Sequence, residues 1–177
     1  LGNTNFNVSI GTPYLLFYGK DNIGNTSTTN SNNYIWDTKP VLSITNPIPN
    51  SWLTNSSYLF SGWASNSIGE VTGVYFSTNG IDYSLAIGLT NWSTNVNLTL
   101  LENKTNMFYV FASNQYGYIT TNIQTNYIDF TAPVIGIINP VQNSIISGNI
   151  TYSGSNIDTF AKISGFWYRT NSGNFIP

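Results

Sequence analysis

Histidine and cysteine are both absent from the 177 residues. Without histidine the chain lacks the usual general base of neutral pH and the commonest ligand for transition metals. Without cysteine it has neither a disulfide framework nor thiol chemistry. The two absences together remove zinc and copper sites of the ordinary kind and every Ser-His or Cys-His nucleophile system. Charge is scarce as well. Asp, Glu, Lys and Arg make up 7% of residues, against about 25% in ordinary soluble domains. Five Lys and Arg residues and a net charge of -2 leave no basic patch, so neither nucleic acid nor an anionic membrane is an expected partner. No apolar run approaches the ~18 residues of a membrane helix, so no membrane insertion is expected. The sequence starts at Leu1 without a signal-peptide pattern, as expected of a processed chain or a piece of a longer one.

Seven carboxylates remain: Asp21, Asp37, Glu70, Asp82, Glu102, Asp129 and Asp158. Two of them are enough in principle for a glycosidase. They are scattered through turns and linkers, however, and none sits in a motif. Calcium requires converging oxygens, and no D-x-D or D-x-N-x-D cluster occurs; Asp37 and Asp129, beside linkers, are the only places where one would look. No phosphate-cradling Gly loop is present. The expectation is a protein that is not an enzyme and carries no cofactor or metal.

Asn, Ser and Thr supply the polarity instead, while 41% hydrophobic and 15% aromatic residues suffice for a core. Such a neutral surface cannot keep neighbours apart by charge repulsion. It suits life outside the cell, extreme pH, or the inside of an assembly. N-x-S/T sequons begin at Asn7, Asn25, Asn55, Asn91, Asn97, Asn103 and Asn149. The abundance of Asn, Ser and Thr accounts for them by chance, so they mark glycans only in a host with the machinery.

The chain repeats itself. "NYIWDTKPVLSITNP", from Asn33, returns as "NYIDFTAPVIGIINP", from Asn126. Pro40 and Pro133 lie 93 positions apart, as do Tyr34 and Tyr127, Ile44 and Ile137, Pro47 and Pro140, Asn50 and Asn143, and Gly24 and Gly117. Further on the offset becomes 92: Ser61-Gly62 matches Ser153-Gly154, and "GVYFSTNG" from Gly73 matches "GFWYRTNSG" from Gly165. Upstream, "FNVSI" from Phe6 matches "VNLTL" from Val96 at an offset of 90. Repetition of this kind decides the fold reading before anything else.

Within one period, short segments alternate apolar and polar residues, are rich in Val, Ile, Tyr, Phe and Thr, and are punctuated by Gly, Asn and Pro. The pattern predicts strands near 41–45, 57–65, 71–78, 82–87, 93–100, 106–113 and 118–128. Asn79-Gly80 predicts a tight hairpin turn. Seven short strands in about 90 residues, with no helical period, read as an immunoglobulin-like β-sandwich. The fold expected is all-β, with tandem immunoglobulin-like β-sandwich repeats of period about 92–93 residues.

The order "DTKPVLSITNP", "SGWASN", "VYFSTNG", "NWSTNVNLTL", "FYVFASNQYG" resembles the bacterial Ig-like and fibronectin-III-like tandem repeats of large extracellular surface proteins. That resemblance covers nearly the whole chain in register with the repeat. It implies an extracellular, cell-surface or secreted location and an adhesive or spacer role. Unlike antibody domains, the chain has no Cys pair. Residues 1–38 match the C-terminal strands of a repeat, 39–131 a complete sandwich, and 132–177 the N-terminal strands of a further one. Two arrangements follow: a window of a longer covalent array, or a subunit whose C-terminal half is completed by the next subunit through strand donation.

Alternation also assigns faces. Phe108, Val110 and Ala112 should point inward, as should their counterparts Leu15, Phe17 and Gly19, and Val74 and Phe76. Met107, Tyr109, Phe111, Tyr75, Leu16, Tyr18 and Trp167 should point outward, with Leu59 and Trp63 outward on the other sheet. A one-residue slip would reverse the set. An outward aromatic patch of this kind marks self-assembly or, alternatively, carbohydrate stacking. Trp92 is placed in the core, and Trp36, Pro40 and Pro133 in interdomain linkers. The function expected is therefore a structural surface stalk or filament whose partners are copies of itself, arranged head to tail. The alternative is an adhesin module that binds polysaccharide through the outward rings.

Overall fold

The structure is a computed structural model and describes residues 5, 14–33, 37–171 and 173–177. Its strands are β1 (Tyr14–Phe17), β2 (Asn30–Asn33), β3 (Val41–Asn46), β4 (Trp52–Leu53), β5 (Ser57–Ser65), β6 (Val71–Ser77), β7 (Ser84–Leu85), β8 (Asn91–Asn97), β9 (Lys104–Asn114), β10 (Ile119–Ile128), β11 (Val134–Asn139) and β12 (Ser153–Ile157).

Two sheets enclose the core: β3-β5-β8 on one side and β4-β10-β9-β6-β7 on the other. Their pairs are antiparallel except β4 with β10, which run parallel. This is an immunoglobulin-like strand order. The period-two alternation of each strand sends one row of side chains inward. Phe108, Val110 and Ala112 of β9 are fully buried, as are Val74 of β6 and Phe60 of β5. The Phe60 ring bridges the sheets, with centroids 4.5 Å from Phe108 and 4.9 Å from Phe76. Trp92 closes the core from β8, buried as expected. Each of the buried Val and Phe side chains contributes about 1.5–3 kcal/mol by leaving water.

Gly62 shows why "SG" recurs. A Cβ there would stand 1.9 Å from the Ser43 carbonyl oxygen and 2.7 Å from the Trp92 ring. Glycine lets β3 and Trp92 close onto β5 beside the register break between Ile44 and Asn46.

Three local expectations change. The strand expected to reach residue 100 stops at Asn97, whose side chain accepts hydrogen bonds from the Thr99 N–H and hydroxyl. These draw the chain into a 3-10 turn at Thr99–Leu101. The expected strand 82–87 contracts to β7, followed by a lone bridge between Ile87 and Ser93. The Asn79-Gly80 turn is wider than a two-residue hairpin. Asn79 Oδ1 accepts from the N–H groups of Ile81 and Asp82, and Ser77 Oγ from those of Asn79 and Gly80. That closes a loop over 78–83 in which only Gly80 has a positive φ among the turn residues.

Outside the sandwich stand two two-stranded sheets, β1-β2 and β11-β12. The β11-β12 pair has the register break of β3-β5, between Ile137 and Asn139, and Asn143 takes a positive φ of 66° where Asn50 has 60°. The turn at Asp21–Asn25 repeats that at Asn114–Tyr118. Asp21 N donates to Asn25 O and Gly24 N to Asp21 O, as Asn114 N does to Tyr118 O and Gly117 N to Asn114 O.

Candidate functional site

Tyr75 and Phe111 face each other across β6 and β9 and stack, with centroids 4.6 Å apart and 18° between planes. Tyr83 packs edge-on against Phe111 at 4.8 Å. One pair along, Tyr109 lies opposite Ser77 and covers Gly80, where a Cβ would come 3.2 Å from its ring. Tyr75, Tyr109 and Phe111 thus form one outward cluster, half-buried by mutual packing, with exposed Met107 at its margin. Trp63 and Leu59 are exposed on the opposite sheet and do not join it. Leu16 and Tyr18 are exposed at and after β1, and Trp167 is exposed beyond β12. Trp167 folds over Gly165 as Tyr75 folds over Gly73, each ring blocking a Cβ at the glycine two residues before it. Pro40 is buried, Pro133 exposed, and Trp36 lies outside the described residues.

The terminal segments expose residues whose counterparts form the core. Leu42 and Ile44 are 8% and 9% exposed; Ile135 and Ile137, in the same places on β11, are 56% and 69% exposed. Val74 and Phe76 are buried, whereas Phe166 and Tyr168 are exposed. Leu15 is half-buried and Phe17 partly exposed where Phe108 and Val110 are buried. Among the described residues these inward positions are present without an opposing layer.

The junctions between segments are polar. Asp37 accepts two hydrogen bonds from Asn66 Nδ2, at 3.1 and 3.2 Å, and a short one from Asn114 Nδ2. Asn114 Nδ2 also donates to Thr38 O at 3.2 Å, while its Oδ1 accepts from the N–H groups of Tyr116 and Tyr118. At the other end of the sandwich, Asp129 Oδ2 and Asp158 Oδ1 both accept from the single N–H of Ala161, at 3.1 and 2.7 Å. Trp52 packs there between Tyr127 and Phe160, at 5.1 and 5.4 Å. A cavity of about 740 Å³ opens beside them, lined by Trp52, Asp129, Asp158, Phe160, Lys162 and Trp167 among others. Among the described residues no group of three Asp and Glu side chains converges to hold a metal ion.

Asn66, Asn114, Trp52 and Phe160 are missing from the residues singled out by sequence. One signal for Asn114 was available: it stands 93 positions after Asp21, in the paired phrases "DNIGN" and "NQYGY". Asp21 reproduces its turn, with Oδ1 accepting from Ile23 N and Asn25 N. Its Oδ2 accepts from Asn25 Nδ2, and that side-chain bond is the main reason its carboxyl is held below the usual value.

Residues 40–110 match the family model described as a bacterial Ig domain. That stretch of the chain, which takes in most of the sandwich, is therefore similar to a bacterial Ig domain. No curated protein matches. Among solved structures, the chain is similar to an engineered protein at 15% identity with a TM-score of 0.39; the match covers 51% of this chain and 20% of that one.

Proposed function

We propose that this Ig-like sandwich is the repeating bead of an extracellular, cell-surface filament or stalk, in which each chain continues head to tail into another copy of itself by exchanging strands. One observation carries the reading: Ile135 and Ile137 are exposed at the positions where Leu42 and Ile44 are buried. A sandwich face left open exposes both apolar surface and strand edges, which favours pairing with another chain. The two terminal segments are complementary. β1 and β2 correspond to β9 and β10, and β11 and β12 to β3 and β5. In the complete sandwich β9 pairs with β6 and β10 with β4, forming the layer opposite β3 and β5. The N-terminal segment of one copy thus supplies the layer that the C-terminal segment of the next lacks, dividing each chain into a half at 1–38, a whole at 39–131 and a half at 132–177. Donation of strands between neighbours is an established route to head-to-tail polymers.

The mechanism is mechanical. Each sandwich is a rigid bead, the Pro40 and Pro133 linkers limit bending, and surfaces with little charge pack side by side. The half-buried cluster of Tyr75, Tyr109 and Phe111 serves lateral contacts between such strands. Imaging of purified protein tests the proposal: fibres with an axial repeat support it and dispersed monomers contradict it. In a denaturing gel, fibres held by donation release a sharp band at 19.5 kDa; a very large band instead assigns the joint to a covalent array.

A second reading has the exposed rings in its favour: an adhesin module that stacks polysaccharide on Tyr75 and Tyr109, with repeats raising avidity. Binding on a glycan array that Tyr75→Ala and Tyr109→Ala abolish would select it. Loss of lateral assembly in the same variants would select the filament.

A further inference from the structure

The junction inside the complete sandwich and the one between copies differ in chemistry, and the difference rests on the strand-exchange reading above. Inside the sandwich, the linker carboxylate Asp37 is held by two neutral amides, Asn66 and Asn114. At the next junction the linker carboxylate is Asp129, one residue short of Phe130, the counterpart of Asp37 at the 93-residue offset, and it reaches the Ala161 N–H beside Asp158. The position of Asn66 is taken by Asp158, 92 residues later, and that of Asn114 by Asp21, 93 residues earlier. Asp158 is already in place, sharing the Ala161 N–H with Asp129. Asp21 has the same turn geometry as Asn114, so its Oδ2 stands where Asn114 has the donating Nδ2.

We infer that Asp21 of one copy docks against Asp129 and Asp158 of the next, and that it does so carrying a proton, so that assembly is driven by acid. An ionised Asp21 brings an acceptor to a position that requires a donor, beside two carboxylates. A protonated Asp21 gives up the Asn25 amide bond at Oδ2, presents an O–H where Asn114 presents an N–H, and donates to the Asp129 carboxylate. The other charged groups around the site do not remove the conflict. Lys162 lines the cavity beside Asp129 and Asp158, and is one cation against three carboxylates. Glu102 accepts the hydroxyl of Thr131, two residues after Asp129, and adds negative charge. Lys20 precedes Asp21, with its Cε 3.8 Å from a Cβ built on Gly24.

In the free chain Asp21 is ionised at neutral pH, held so by the Asn25 amide. Facing carboxylates in the assembly, it has a raised pKa, as like charges raise one another's. Association therefore takes up a proton, is strongest below the free-state value, and weakens as pH rises through the assembled-state value.

The test is sedimentation velocity of the full chain and of Asp21→Asn between pH 3 and 8, with circular dichroism to confirm folding. For the wild type, association is expected to weaken as pH rises above the free Asp21 value, by up to about tenfold per pH unit, one proton per junction. Asp21→Asn, which restores the residue found at position 114, is expected to assemble equally at acid and neutral pH. A wild-type profile flat with pH, a variant as acid-dependent as the wild type, or neutral assembly that appears with calcium and vanishes with chelator each overturns the inference while leaving strand exchange standing. Absence of assembly by both proteins at every pH overturns strand exchange itself, and the inference with it.

Discussion

Leu42 and Ile135 lie 93 residues apart at matching places on β3 and β11, and one is 8% exposed while the other is 56% exposed. Their partners across the pair correspond as well: Leu42 lies opposite Ala64, and Ile135 opposite Asn156. What differs is the layer above them. β9 and β10 cover β3, whereas among the described residues no pair of strands covers β11 in that way.

The paired glycines separate folding from assembly. Gly62→Ala places a methyl against the Ser43 carbonyl and the Trp92 ring, and is expected to cost the sandwich about 3 kcal/mol or more. Gly154→Ala makes the corresponding clash with the Gly136 carbonyl, at 2.2 Å. It is expected to leave the melting of the sandwich unchanged and to weaken assembly. Thermal denaturation and sedimentation of the two variants check both.

Asn114→Asp transplants the carboxylate junction into a single sandwich. The side chain is 3% exposed and faces Asp37, so the new carboxyl has a folded pKa raised above its unfolded one. Its ionised form is expected to cost about 2–4 kcal/mol at pH 7. Stability is fully retained below the unfolded carboxyl value of about 4 and lost as pH rises through the raised value. Melting temperature against pH measures this, with the wild type as reference.

Phe60 meets Phe76 and Phe108 across the sheet interface. Phe60→Ala is expected to destabilise the sandwich by about 3–5 kcal/mol, read by denaturant unfolding. The outward Leu59→Ala, its neighbour on β5, should change stability by less than about 1 kcal/mol.

Much of this was legible in the sequence. Phe108, Val110 and Ala112 are buried and Met107 is exposed because a half-covered strand must alternate, and no other element competes with that signal. β4 was not legible, since a two-residue strand has no period, and its place is set by the parallel pairing with Tyr127 and Ile128. The clamp on Asp37 was hidden for another reason. Asn114 lies 77 residues away, and Asn in a polar turn looks the same whether its amide meets water or a carboxylate. The repeat offset that located Gly24 and Gly117 also aligned Asp21 with Asn114, but the meaning of that exchange depends on a hydrogen bond visible only in the fold.

Strand exchange between copies is tested most directly by a cross-link that only exchange can form. Tyr75 and Phe111 are stacked cross-strand partners, and their counterparts are Trp167 and Tyr18. Cross-strand side chains lie at a spacing that a disulfide spans, and the chain has no cysteine of its own to interfere. The double variant Tyr18→Cys, Trp167→Cys is oxidised under assembling conditions and run on a denaturing, non-reducing gel. The account predicts a ladder of covalent multimers that collapses to 19.5 kDa on reduction, while each single variant stops at a dimer. A double variant that stays at the monomer mass, or advances no further than the single variants, would contradict it.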